Sequence, residues 1–82
     1  MEQGFESESI NLIAALLCSD DVDLIGHRSA EDERGFRKIV FILNNPERCE
    51  ALAEEYEKGE LMVNVRRFAK SFKRLKGIIF RP

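Results

Sequence analysis

Phe36-Arg37-Lys38-Ile39-Val40-Phe41-Ile42-Leu43 runs straight into Asn44-Asn45-Pro46-Glu47-Arg48, and this junction decides the fold. The first eight residues are rich in β-branched and aromatic side chains, which fit a pleated surface better than a helix. The apolar run Ile39 to Leu43 implies a strand whose two faces are both at least partly covered. Asn45 then offers an N-cap. Pro46 suits the first helical position because its φ is already set, and Glu47 complements the helix dipole. Cys49, Leu52, Ala53 and Tyr56 follow at i, i+3, i+4 and i+7, and Lys58-Gly59 is a base-then-glycine stop. A helix over 46–58 therefore starts within three residues of the end of a strand.

Toward the N-terminus, Ala30 to Gly35 is a charged turn closing on a glycine that can take positive φ. Before it, Val22 to Arg28 reads as an imperfect strand, so the two strands form an antiparallel hairpin. Such a hairpin is marginal alone and must pack on helices. Further upstream, Ile10, Ile13, Ala14 and Leu17 keep helical spacing, with Leu12 and Leu16 widening the apolar surface. Ser7 or Ser9 can cap this helix, which is expected over 9–18 at the centre of the domain. Residues 1–6 are expected to be flexible or to add a short edge strand around 4–7.

Toward the C-terminus, Leu61, Val65, Phe68, Phe72, Leu75 and Ile79 recur with spacings of 4, 3, 4, 3 and 4. This seam of almost three heptads is read as core against the hairpin. Asn64 is the N-cap of a helix near 64–76. Gly77 is expected to end it and to leave Ile78-Ile79-Phe80 as an apolar tail. The expected architecture is α+β in the order (β)-α-β-β-α-α. The hairpin lies against the first and third helices, and the second covers the remainder. With 82 residues there is room for one domain, since a second core would leave each half too small to fold.

The Asn-Pro-Glu-Arg helix start, the phrase Gly59-Glu60-Leu61-Met62-Val63-Asn64-Val65-Arg66-Arg67-Phe68 and the closing Leu75-Lys76-Gly77-Ile78-Ile79 resemble a family of small bacterial and phage domains of unknown function. In that family a strand ends in Asp-Pro, a helix ends at Gly-Glu-Leu, and a final helix carries the basic residues. The resemblance covers about residues 5–80 and implies a fold and a bacterial or phage origin. It implies no activity. The Ala30–Gly35 loop is longer than the family's usual hairpin turn.

Hydrophobic residues make up 44% and charged residues 34%, a globular balance rather than a disordered one. The longest apolar run, Leu12 to Cys18, is far short of the ~18 residues a membrane span needs. It follows acidic residues, unlike a signal peptide. Cys18 and Cys49 lie 31 residues apart with no CxxC, which points to reduced thiols and a cytoplasmic setting. A lone histidine, His27, argues against a zinc site.

No serine sits in a Gly-x-Ser-x-Gly context, and a Cys-His dyad would have to draw on cysteines placed on apolar helix faces. Asp20, Asp21 and Asp23 lack calcium-loop spacing, and Glu31, Asp32 and Glu33 read as a solvated turn. No glycine-rich loop cradles a phosphate. The expectation is a protein that is not an enzyme and carries no metal, no cofactor and no small-molecule substrate.

Charge is the remaining signal. From Glu60 onward seven bases face one acid, a local charge of +6, whereas six bases face fourteen acids before it, giving −8. Arg66, Arg67, Lys70, Lys73 and Arg74 make the candidate binding face. The competing reading pairs that face internally with Glu47, Glu50, Glu54, Glu55 and Glu57 of the preceding helix, packed antiparallel across Gly59. A pI of about 5.4 and the lack of an exposed aromatic platform weigh against nucleic acid. The favoured function is a small protein-interaction or accessory module acting by binding. One alternative is nucleic-acid binding through the basic helix. Another is a structural domain that self-associates through Ile78, Ile79 and Phe80. The partner is then a protein, a second copy or a nucleic acid, and not a membrane.

Overall fold

A computed structural model describes residues 4–80. The elements are β1 (Phe5–Ser7), α1 (Ile10–Leu16), β2 (Leu24–Glu31), β3 (Arg37–Leu43), α2 (Pro46–Glu57) and α3 (Val65–Ile79). The three strands form one antiparallel sheet in the order β1-β3-β2. This is the α+β architecture that the order of sequence signals implies.

The register explains which side of β3 is core. Leu43 pairs with both Phe5 and Leu24, and Phe41 pairs with Ser7 and His27, so these residues share one face. Phe41 and Leu43 are fully buried against Ile13, Leu16, Leu52 and Leu75 from the three helices. Val40 and Ile42 point to the other face and are half-buried, so the apolar run is covered unequally on its two sides. On that outer face Glu6 and Arg28 pair at 2.7 Å across the top of β3. A bulge between Leu24 and Gly26 leaves Ile25 exposed.

The hairpin is tighter than the Ala30–Gly35 loop read from sequence, because Ala30 and Glu31 belong to β2 and Glu31 pairs with Arg37. The Asp32 carboxylate accepts from the backbone N–H of Arg34 and of Phe36, both at 2.9 Å, and Gly35 takes φ +82°. Residue 32 thus replaces missing ladder bonds with its own side chain.

Capping follows the sequence closely at two helices. The Ser9 hydroxyl accepts from Leu12 N–H at 3.3 Å, and the Asn64 side chain accepts from Arg67 N–H at 3.0 Å. At α2, Asn45 holds the N-cap position without capping. It adopts φ +55° and turns its amide to donate to the Asp21 carbonyl, and Pro46 has no N–H to satisfy. The Gly59 and Glu60 amides donate back to the Tyr56 and Glu55 carbonyls, so α2 closes in a Schellman motif around a positive-φ glycine.

α3 departs from expectation at its end. Gly77 stays helical and the helix continues to Ile79, so there is no separate apolar tail. A helical glycine costs roughly 1 kcal/mol against alanine. Burial of Ile78 against the core offsets it. The helix layer also differs: α1 is the hub, with α2 and α3 each packed on it and little contact between them.

Candidate functional site

α3 is oriented by Leu75, fully buried, and by Phe68, Phe72 and Ile78, which pack on the core cluster. At about 100° per residue, Arg66, Lys70 and Lys73 then fall on the side opposite Leu75. Arg67 and Arg74 lie on one flank, and Val65, Ala69 and Lys76 on the other. All six cations are exposed.

Arg67 is the one of these bases committed to the fold: its Nη1 lies 2.8 Å from Asp20 Oδ1. Arg66, Lys70, Lys73 and Arg74 form no ion pair among the described residues. Internal neutralisation by α2, the competing expectation, is therefore not what the chain does. Lys58 pairs with Glu54 inside α2, and Arg48 of α2 pairs with Asp21 at 3.2 Å. The physical reason is the irregular stretch 59–64, which carries the chain past α1 instead of folding α3 back along α2. Leu61 is drawn into the core on the way while Met62 stays exposed.

Beside the cationic stripe runs a groove of about 500 Å³, lined by Asn11, Phe68, Ala69, Phe72, Lys73 and Lys76. The Phe68 and Phe72 rings are tilted by 31° with centroids 5.8 Å apart. Lys76 Nζ lies 5.6 Å from the centre of the Phe72 ring and 6.0 Å from that of Phe80. Phe80 is 74% exposed. Phe68 and Phe72 pack on the core as the seam implies, yet both stay only partly buried, and with the exposed Phe80 they form an aromatic surface that the sequence does not lead one to expect. α1 has only 7 residues against the 15 of α3, so it cannot cover the whole apolar side. Val65, another seam position, lies on the flank and is exposed. The legible signal was Phe72-Lys76-Phe80 at spacings of four.

The acidic residues after α1 are pinned rather than simply solvated. The Ser19 hydroxyl donates to the Asp21 carboxylate, and this bond, assisted by the Arg48 charge, holds that carboxyl below its ordinary range. Neither thiol resembles an activated nucleophile. Cys18 donates to the Ala14 carbonyl and Cys49 to the Asn44 carbonyl, rather than to an imidazole. Burial raises the Cys18 thiol against the opposing charge of Arg67, and burial pushes Cys49 up to about 11. His27 is exposed on β2. Among the described residues no three His, Cys, Asp or Glu side chains are grouped to hold a metal, and no helix is long and apolar enough to cross a membrane.

Searches against protein-family models, curated proteins and solved structures return no match for this chain.

Proposed function

We propose that the protein acts by binding and that its ligand is a nucleic-acid strand held along α3. The carrying observation is that Arg66, Lys70, Lys73 and Arg74 are exposed on one helix without an acidic partner among the described residues. From 66 to 74 the stripe spans about 12 Å of helix axis. That is the length of about three to four phosphates of a stacked strand. Fourteen acids precede Glu60 and none follows it, so positive charge is concentrated at α3 despite a net charge of −2. The aromatic rings beside the stripe add the kind of surface on which bases stack.

Fluorescence anisotropy with labelled oligonucleotides at two salt concentrations tests this reading. Four phosphate contacts on a single strand give a roughly 50-fold loss of affinity for a fourfold rise in salt. Absence of binding at low salt would end the nucleic-acid reading and transfer the face to an acidic protein partner.

A further inference from the structure

The groove between α1 and α3 is not used by the cationic stripe, yet the two share Lys73. Its floor is aromatic, from Phe68 and Phe72. Its rim is cationic and polar, from Lys73, Lys76 and Asn11. Phe80 extends the aromatic surface beyond the end of the helix, linked to Phe72 through the Lys76 ammonium that lies over both rings. We infer that this groove receives an unpaired nucleobase, which makes the protein a single-strand binder rather than a reader of duplex. The inference rests on the nucleic-acid reading of α3 and assigns the form of its ligand.

Three features favour a base over other occupants. An amphipathic helix docks through anchors repeated at i, i+3, i+4 and i+7. Here an aromatic depression at Phe68 and Phe72 is bordered by lysines. Second, a strand with its phosphates on Arg66, Lys70 and Lys73 brings its bases alongside the groove, because Lys73 belongs to both surfaces. Third, Asn11 places an amide, donor and acceptor together, at the rim where a base edge would lie. Duplex DNA hides the base faces on which such stacking depends.

The decisive comparison uses a labelled thymidine 12-mer, an abasic 12-mer of equal length and charge, and a duplex of the same length. Stacking of one base predicts that the base-bearing strand binds about five- to hundredfold tighter than the abasic strand. Phe80→Ala, at an exposed position beside the groove, should erase part of that preference. Phe72→Leu should do the same, with circular dichroism to confirm its fold. In wild-type NMR spectra the ring protons of Phe72 and Phe80 should move on adding the base-bearing strand and stay put with the abasic one.

Equal affinity for base-bearing and abasic strands would overturn the groove assignment and leave the cationic-face reading standing. No binding of any strand at low salt would remove both. A free protein that sediments as a dimer and becomes monomeric on Phe80→Ala would give the groove to a second copy and overturn the proposal. So would Phe80-dependent binding of an acidic helical peptide in the absence of any strand binding.

Discussion

Arg67 Nη1 sits 2.8 Å from Asp20 Oδ1, tying the first turn of α3 to the turn that follows α1. Arg48 does the equivalent for α2 through Asp21. Two adjacent aspartates thus each take one base from a different helix. The division separates α3 cations that serve the fold from those left to solvent. Because Asp20 is almost fully exposed, its pair with Arg67 is screened, and its contribution is below about 1 kcal/mol.

Charge reversal at α3 should therefore act on binding and not on folding. Lys70→Glu with Arg74→Glu is expected to abolish oligonucleotide binding and to leave the melting temperature within a few degrees of wild type. Had these bases been paired with α2, the same change would have lowered stability and 0.5 M salt would have mimicked it. Thermal melts at low and high salt, run beside the anisotropy titration, separate the two.

The apolar seam of α3 should divide sharply under alanine substitution. Leu75→Ala removes a fully buried side chain and should cost about 2–5 kcal/mol. A single core of this size supplies only a few kcal/mol of net stability, so the variant should be largely unfolded at 37 °C. Val65→Ala, at a position 80% exposed, should be close to neutral. Urea titrations of both variants check the contrast.

The turn of the β2–β3 hairpin depends on the Asp32 carboxylate. Asp32→Ala removes the acceptor of two backbone N–H groups and should cost about 1–2 kcal/mol. Asp32→Asn, which keeps a carbonyl oxygen in place, should recover part of the loss. Hydrogen exchange at the Arg34 and Phe36 amides reports the same event locally, and unchanged protection in Asp32→Ala would show that the carboxylate is dispensable.

Cys49 carries a pH dependence with a definite sign. Its folded pKa, pushed up to about 11 chiefly by burial, lies above its ordinary value of 9.0. The folded state therefore holds the thiol proton more tightly. The associated stability is complete below pH 9 and is lost as pH rises from 9 through 11. Denaturant midpoints should fall over that window in the wild type and fall less in Cys49→Ala. Thiol-reactive reagents at pH 8 should modify Cys49 more slowly than Cys18, which is only half-buried.

Element order, the caps at Ser9 and Asn64, the Pro46 start and the Gly59 stop were all readable along the chain. Each is local chemistry, a side chain or a fixed φ meeting backbone groups a few residues away. The cationic stripe was readable too, since helical periodicity places Arg66, Lys70 and Lys73 together whatever α3 packs on. Three features were not. Asn45 looks like a cap, but its backbone enters the left-handed region and its amide reaches a carbonyl 24 residues earlier. Gly77 looks like a stop, yet the burial of Ile78 holds the helix together beyond it. Above all, the heptad spacing of α3 shows which residues align, but not how much of the aligned face finds a partner. That depended on the length of α1 and on the route of residues 59–64, which set α2 and α3 apart on α1. Long-range packing therefore left Arg66, Lys70, Lys73 and Arg74 without an ion pair among the described residues and opened the aromatic groove beside them.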